Sequence, residues 1–185
     1  VDAIRLGESP KILPEIEKRT FRNIIQSNIQ YRFIEDGLER MNRLRNEQRS
    51  HMMPNKKNAK GISNFQIRKL AERGQSDFGI SAEALVSMSR WIESQEQIKG
   101  LRSKIDKLRD KIIKECIGNA AVICTTNTNA DNDHIRGIDF DMVLIDEAGQ
   151  STEPSCLIPI SKAKKVILVG DHKQLPPTIL SKEAK

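Results

Sequence analysis

Aromatic residues are scarce in this chain of 185 residues, which contains five Phe, one Tyr and one Trp. So few rings predict no aromatic stacking platform for nucleobases. Apolar runs are short as well, and none approaches the roughly 18 consecutive residues that a membrane span needs. The first residues carry no basic segment followed by an apolar one, so no secretory signal is indicated. These absences exclude membrane and secreted proteins and predict an intracellular location, in the nucleus or the cytoplasm.

Cysteine and histidine are also few, with three of each scattered along the chain and no CxxC spacing. A disulfide framework or a zinc site is therefore not expected, and a reducing compartment fits this composition best.

The net charge of +6 is unevenly distributed. Residues 1–120 carry +8 and residues 121–185 carry −2, while residues 41–70 contain eight Arg or Lys against one Glu. A basic first part predicts a polyanionic partner, although a merely solubilising surface explains the same charge. The charge alone favours the solubilising surface.

Two apolar stripes predict two long helices. The first lies between Pro14 and Arg49 and contains Ile24, Tyr31, Ile34, Leu38 and Met41. The second runs from a Ser81 cap to about Cys116, with an apolar residue every seventh position: Ala84, Trp91, Ile98, Ile105 and Ile112. The polar residues 50–64 between them predict a mobile loop, followed by a short helix near 65–73. We expect the long helices to pack antiparallel as a helical hairpin.

The last third of the chain contains three short apolar runs of strand length, at residues 120–126, 140–146 and 165–170. Near-continuous runs rich in β-branched residues are typical of parallel strands buried on both faces. Residues 151–160 predict a short crossover helix that Pro159 helps to end. The predicted fold class is α/β.

Two adjacent carboxylates, Asp146 and Glu147, follow the second run. Ligands of parallel sheets bind beyond the carboxyl ends of the strands. One carboxylate there can hold Mg²⁺ while the other positions and deprotonates an attacking water. Two solvated acids at a turn also explain the pair, so the pair alone is weak evidence.

The third run ends in a loop that contains Gly170, Asp171, Gln174 and the prolines 176–177. A glycine at a strand end lets the backbone approach a ligand closely. The prolines stiffen the exit of the loop, so Gln174 is presented from a constrained position. A neutral amide there can sense a terminal phosphate, although a loop glutamine is by default solvated.

The segments VLIDEAGQSTEP and KVILVGDHKQLPPT resemble motifs II and III of superfamily 1 helicases. More narrowly, they resemble the branch containing senataxin, the immunoglobulin-mu-binding helicase and the nonsense-mediated-decay RNA helicase. The second segment differs from the short Ser-Ala-Thr motif of superfamily 2. Residues 4–7 and 121–126 are similar to the strands that flank a helical insertion in that branch.

The resemblance implies a partial RecA-like parallel sheet with a long antiparallel helical-hairpin insertion. Residues 1–10 would supply a strand and a turn, and residues 118–185 the core with motifs II and III. Residues 11–117 would form the prong-like insertion, with a mobile tip at about 50–64. The implied cofactors are ATP and Mg²⁺, and the implied partner is single-stranded RNA or DNA.

The resemblance also implies roles for individual residues. Asp146 would coordinate Mg²⁺, and Glu147 would be the general base for ATP hydrolysis. Gln174 would contact the γ-phosphate, while Gly170 and Asp171 shape its loop.

Three further roles follow from the resemblance. Gln150 would link the nucleotide pocket to the loop of motif III. Thr125 and Thr126 lie where the family often touches the nucleic-acid backbone. The hairpin tip would meet phosphates, although a solvated loop is an equal alternative. The lysines of this tip are Lys56, Lys57 and Lys60.

No phosphate-binding loop of the form G-x-x-x-x-G-K-[ST] occurs in the chain, and no motif of a second RecA-like domain follows motif III. We therefore expect the chain to be part of a longer helicase whose remainder supplies both, and to be inactive as an ATPase alone. Two alternatives stay open. One is a non-catalytic nucleic-acid-binding module built on the basic hairpin. The other is a protein-interaction module that pairs with a partner through the stripe of Ile98, Ile105 and Ile112.

Overall fold

The computed structural model describes residues 2–7 and 12–178. Residues 8–10 of the predicted first turn and 179–185 of the predicted core lie outside that range. The helices are α1 (Pro14–Glu17), α2 (Phe21–Ser27), α3 (Tyr31–Gln48), α4 (Lys56–Ala59), α5 (Asn64–Glu72), α6 (Ala82–Gly118) and α7 (Glu153–Ile160). The strands are β1 (Ala3–Arg5), β2 (Val122–Cys124), β3 (Val143–Ile145) and β4 (Val166–Leu168). Within the described residues, no helix is long and apolar enough to cross a membrane.

The chain divides into two compact units. One consists of Val1–Ser27 together with Ile113–Lys185, and the other of Asn28–Ile112. The first unit holds all four strands, and the second holds most of the helical residues. The mixed α/β fold class is therefore confirmed, while the insertion at 11–117 stays a prediction.

The strands of the first unit form two parallel pairs. β1 lies beside β2 with Ile4 opposite Ile123, and β3 lies beside β4 with Leu144 opposite Ile167. The parallel orientation predicted from the apolar runs is confirmed. The expected partial parallel sheet consists of two separate two-stranded ladders among the described residues. Within the described range, no ladder joins the two pairs, and the residues between β2 and β3 form a 3-10 turn and irregular chain.

The strands are less buried than the sequence predicts. Ile145 is buried, but Leu144 is 58% exposed and all three residues of β4 are exposed. The prediction of burial on both faces is therefore wrong for this chain. A two-stranded ladder packed with one short helix, α7, leaves an apolar face uncovered.

The single helix predicted between Pro14 and Arg49 is divided into α1, α2 and α3. The break before α3 has a local cause at Asn28. Its side-chain oxygen accepts a 2.9 Å hydrogen bond from the backbone N–H of Gln30. This local bond competes with helix propagation. The stripe itself persists on α3, where Ile34 and Met41 are buried.

The segment 50–64, predicted as a loop, contains the short helix α4. The Asn55 side chain caps this helix by accepting from the backbone N–H groups of Lys57 and Asn58. Ser63 and Gln66 then form a reciprocal capping box at the start of α5. An uninterrupted loop is therefore wrong here, because two polar side chains satisfy helix N-termini within the segment.

The long helix α6 follows its predicted cap and stripe. The hydroxyl of Ser81 accepts a 3.2 Å hydrogen bond from the N–H of Ala84. Ile98, Ile105 and Ile112 are all buried, with Ile112 at 0% exposure. The first half of the helix packs into a cluster of buried residues: Ala59, Ile67, Ile80, Leu85, Met88 and Ile92.

Contacts between α3 and α6 occur in antiparallel order. A Cβ placed on Gly37 would lie 2.9 Å from a side-chain carbon of Ile105. Towards the other end of α3, the amide of Gln48 donates to the carbonyl of Trp91 and to the side chain of Gln95. Residues later in α3 therefore meet residues earlier in α6.

Candidate nucleotide site at the ends of β3 and β4

The loops after β3 and β4 begin side by side. Parallel pairing of Ile145 with Leu168 brings the next residues of both strands to one edge. There the N–H of Val169 donates to the carbonyl of Ile145 at 2.9 Å, and the N–H of Ala148 donates to the carbonyl of Val169 at 2.8 Å. The ladder therefore continues into both loops. The structure brings together the two segments that carry the predicted motif residues.

Glycines let these loops touch through their backbones. A Cβ on Gly170 would lie 2.8 Å from the nitrogen of Gly149 and 3.1 Å from that of Ala148. A Cβ on Gly149 would lie 3.3 Å from the carbonyl oxygen of Asp171. The sequence predicted a close approach of Gly170 to a ligand. In the structure, the space beside Gly170 is taken by the neighbouring loop.

Glu147 occupies a left-handed backbone conformation, with φ 52° and ψ 37°. Such values are uncommon for residues other than glycine and cost free energy. The N–H of Glu147 donates to the Asp146 carboxylate at 3.0 Å. This conformation turns the chain sharply after Asp146, so Glu147 does not continue the extended backbone of β3.

The side chain of Gln150 holds the carboxylate of Glu147. Its amide nitrogen donates to a Glu147 carboxylate oxygen at 3.2 Å, and its backbone N–H donates to the Glu147 carbonyl at 2.9 Å. The amide therefore orients one oxygen of the Glu147 carboxylate, and no described residue hydrogen-bonds to the other oxygen.

Asp171 organises the loop that presents Gln174. One Asp171 carboxylate oxygen accepts from the N–H of Lys173 at 2.9 Å, and the other accepts from the Gln174 amide at 3.4 Å. The carbonyl of Asp171 accepts from the backbone N–H of Gln174 at 3.1 Å. The same carbonyl faces Gly149, so Asp171 touches both loops.

The exposed carboxylates of Asp146 and Glu147 suit a hydrated cation. Among the described residues, no group of three His, Cys, Asp or Glu side chains is arranged to hold a metal ion. Mg²⁺ does not require such a cage, because it keeps several waters and binds one or two carboxylates together with substrate phosphates. The donors present at this edge therefore fit Mg²⁺ that arrives with a nucleotide.

Thr125 and Thr126 follow the other strand pair, at the end of β2. The Thr125 hydroxyl accepts from the Asn129 amide at 2.8 Å, and the Thr126 hydroxyl accepts from the backbone N–H of Asn129 at 3.4 Å. Both hydroxyls thus stabilise the following 3-10 turn. They do not belong to the ladder that carries the carboxylates.

The three predicted tip lysines lie in the second unit and differ in their surroundings. Lys56 and Lys57 are exposed in α4. Lys60, in a left-handed conformation at the end of α4, donates through its ammonium to the carbonyl of Gly79. Lys60 therefore has a structural partner that the sequence did not reveal.

Sequence reasoning missed Gly149 as part of this site. Its signal is the small pair Ala148–Gly149, placed directly after the two carboxylates and matched by Gly170 after the neighbouring strand. Small residues at corresponding positions of adjacent loops permit backbone contact.

Comparisons with known proteins agree with the motif resemblance. A family model described as an AAA domain matches residues 1–182. An uncharacterized ATP-dependent helicase of Methanocaldococcus jannaschii is 36% identical over 96% of this chain. The DNA-binding protein SMUBP-2 of Rattus norvegicus is 42% identical over 49% of the chain, and the regulator of nonsense transcripts 1 homolog of Neurospora crassa is 47% identical over 38%.

These relatives are much longer than the matched region. The chain spans 27% of the archaeal helicase, 10% of SMUBP-2 and 7% of the fungal protein. Together with a 42% identical match to the helicase sen1 of Schizosaccharomyces pombe over 50% of this chain, these relatives confirm the resemblance to superfamily 1 helicases of the senataxin and nonsense-mediated-decay branch.

Proposed function

The chain belongs to the AAA-domain family, and from this premise we propose that it forms part of the first motor domain of an ATP-dependent helicase. The complete protein would couple Mg-ATP hydrolysis to movement along single-stranded RNA or DNA, or to its unwinding. One observation carries the proposal. The loops bearing Asp146–Glu147 and Gln174 lie against each other at the carboxyl ends of paired parallel strands.

The two carboxylates divide the chemistry. Asp146 would hold Mg²⁺, which neutralises phosphate charge in the transition state when it is bound. Glu147 would accept the proton of the attacking water through the carboxylate oxygen that Gln150 leaves available. Gln150 therefore acts as a positioning residue for the base.

Gln174 would contact the γ-phosphate from the neighbouring loop. The bonds from Gln174 to Asp171 hold this amide before the nucleotide arrives. Because Asp171 also faces Gly149, a displacement of Gln174 would be transmitted to the loop of Glu147. In this proposal the link between the two motifs runs through backbone contact.

We assign residues 11–117 to a helical-hairpin insertion, with residues 28–112 as its compact body. The antiparallel contacts of Gly37 with Ile105 and of Gln48 with Trp91 support this assignment. The burial of the α6 isoleucines speaks against a partner chain on that stripe, since the stripe is already covered within the protein.

Other segments of the complete protein would supply the phosphate-binding loop and the second RecA-like domain. The short span of this chain relative to the archaeal helicase supports that division. Thr125 and Thr126 would lie near the nucleic-acid backbone. Substrates of this kind would place the activity in the nucleus or the cytoplasm.

Replacement of the proposed base tests the function. In the complete protein, Glu147→Gln should lower nucleic-acid-stimulated ATP turnover by about a hundredfold or more, because general-base catalysis is lost. ATP binding should persist, since glutamine preserves the size of the side chain. Glu153→Gln, at an exposed position in the first turn of α7, is the matched control. Turnover of the Glu147 variant at the wild-type rate would refute the assignment.

A further inference from the structure

Two phenylalanines of the second unit, Phe65 and Phe78, expose their rings. Phe65, in the first turn of α5, is 73% exposed, and Phe78, in the turn before α6, is 53% exposed. The ammonium of Lys69 lies 6.0 Å from the centroid of the Phe65 ring. The ammonium of Lys60 is bonded to the carbonyl of Gly79, directly after Phe78. The Phe65 ring therefore has a cation alongside, and the backbone next to Phe78 binds one.

The backbone at Phe78 is unusual for so large a residue. Phe78 and Gly79 have φ values of 54° and 66°, and the N–H of Ile80 closes the turn on the carbonyl of Asp77 at 2.9 Å. Two consecutive positive φ angles are typical of turns that favour Asn and Gly. The Asp77 carboxylate accepts a 2.7 Å hydrogen bond from the N–H of Phe78 and so fixes this conformation.

Core packing does not explain a phenylalanine at this position, because the ring is more than half exposed. A bulky residue at positive φ costs free energy that an asparagine or glycine would largely avoid. Strain that is maintained without compensating burial indicates a functional constraint. Phe78 is therefore displayed on the surface at a cost to folding.

A common core supports both rings. Ala59 of α4, Ile67 of α5 and Ile80 of the turn are all buried in one cluster, which also includes residues of α6. Phe65 lies two residues from Ile67, and Phe78 lies two residues from Ile80. Both rings thus project from segments that are packed together.

Three lysines of α4 and α5 have no ion-pair partner among the described residues. Among the described residues, no carboxylate lies within ion-pair distance of Lys56, Lys57 or Lys69. The surrounding residues 41–70 carry a net +7. Part of this charge is neutralised, because Arg43 pairs with Glu39 and Arg68 pairs with Glu96. The charge of the three lysines that remain unpaired favours a polyanionic ligand.

We propose that Phe65, Phe78 and the neighbouring lysines form a binding surface for single-stranded nucleic acid, here called the tip surface. Unpaired bases would stack on the two rings, while phosphates contact Lys56, Lys57 and Lys69. A duplex would offer its phosphates but keep its bases hidden. The small number of aromatic residues predicted no stacking platform. The tip surface differs from that prediction because two of the five phenylalanines are exposed in the unit that carries these lysines. This inference rests on the proposed function for the nature of the ligand.

Binding of the 185-residue chain to labelled oligonucleotides tests the proposal. The probes are single-stranded oligo-uridine and oligo-thymidine, an abasic strand of the same length, and a duplex of mixed sequence. Fluorescence anisotropy over a range of salt concentrations separates stacking from phosphate contacts, because only the latter release counterions. We expect both base-containing single strands to bind more tightly than the abasic strand or the duplex.

Ring removal supplies the decisive variants. Phe65→Ala and Phe78→Gly should each weaken binding to the base-containing strands about tenfold, and leave binding to the abasic strand unchanged. Glycine at residue 78 fits the turn, so this variant keeps the fold. Phe78→Tyr should restore affinity, since the ring returns. Phe33→Ala is the matched control, because Phe33 is 59% exposed on α3 and has Arg32 beside its ring.

Removal of the lysine charges should change the binding affinities in a different way from removal of the rings. Lys56→Gln with Lys57→Gln should weaken binding to all strands, including the abasic one, and reduce the salt dependence. Equal affinity of wild type for abasic and base-containing strands would overturn the proposal. So would unchanged binding by both ring variants, or tighter binding of an acidic peptide than of any single strand. These outcomes do not depend on ATP turnover, so they are distinguishable from a failure of the Glu147 assignment.

Discussion

Gly170 lies so close to Gly149 that a methyl group on Gly170 would sit 2.8 Å from the Gly149 nitrogen. The contact joins the loop of the two carboxylates to the loop of Gln174 without any side chain. Neither glycine has a positive φ, so the requirement at both positions is for space and not for a special backbone conformation.

Gly170→Ala should therefore destabilise the first unit. The added carbon meets backbone atoms of the adjacent loop, which cannot rotate away as a side chain can, and overpacking of this kind costs about 1–3 kcal/mol. Thermal unfolding followed by circular dichroism measures the loss. Gly149→Ala should cost less, because its Cβ would lie 3.3 Å from the Asp171 carbonyl oxygen.

The control for that series is Gly100→Ala in the middle of α6. A Cβ on Gly100 meets nothing within 4 Å, so alanine should stabilise the protein by about 0.5–1 kcal/mol. If Gly170→Ala were as stable as wild type, the two loops would not be in contact in solution.

Glu147→Gly should separate stability from the proposed catalysis. Glycine relieves the left-handed strain at φ 52°, which is worth about 1–2 kcal/mol, and loses about 0.5–1 kcal/mol through the more flexible unfolded chain. The net free energy of unfolding should therefore stay the same or rise, by about 1.5 kcal/mol at most. Denaturant titration measures this change, and ATP turnover of the complete protein should be lost.

Glu153→Gly, in the first turn of α7, provides the contrast. Glycine there replaces a residue of ordinary helical backbone and should cost about 1 kcal/mol. Equal destabilisation by both glycine variants would show that Glu147 is not strained.

The ion pair of Asp141 with Lys164 should stabilise the protein only in the pH range in which both side chains are charged. The hydrogen bond and positive charge of Lys164 hold the pKa of Asp141 below its ordinary value of 3.8. The Asp141 carboxylate likewise raises the pKa of Lys164 above its ordinary value of 10.5. The two charged atoms are 2.9 Å apart, at the entry to β3 and β4.

The two shifts set opposite limits. The Asp141 contribution is present above the pKa of the unfolded state and is lost as the pH falls through the lower folded pKa. The Lys164 contribution is present below its unfolded pKa and is lost as the pH rises through the higher folded pKa. Melting temperatures of wild type and Asp141→Asn should thus differ slightly near neutrality and converge at both extremes. A difference that persists in strong acid would contradict the assignment.

The chemistry-bearing loops could be predicted from the sequence because each follows an apolar run of strand length. That pattern placed Asp146, Glu147 and Gln174 at one edge, and parallel pairing of β3 and β4 brings their loops together. The buried stripe of α6 could also be predicted from the seven-residue repeat, since Ile98 and Ile105 are buried. Such patterns can be predicted because many residues contribute to each of them.

Features that depend on a single residue were not predicted. The break before α3 comes from one side-chain bond at Asn28, and the helix within the segment 50–64 starts from one cap at Asn55. The left-handed conformations of Glu147 and Phe78 leave no mark in composition or periodicity. The burial of the strands was overestimated. An apolar run shows that a strand is suited to burial, but it does not show whether another strand or helix packs on it.

Trp91 gives the chain an optical probe of one unit alone. It is the single tryptophan, it lies in the second unit, and it packs against the cluster of Ala59, Ile67 and Ile80. Its emission should therefore respond to melting of the helical unit and remain largely indifferent to unfolding of the strand-bearing unit. If the two units melt independently, the tryptophan signal and the far-ultraviolet dichroism would follow different transition curves. A spectroscopist could then assign each transition without introducing any label.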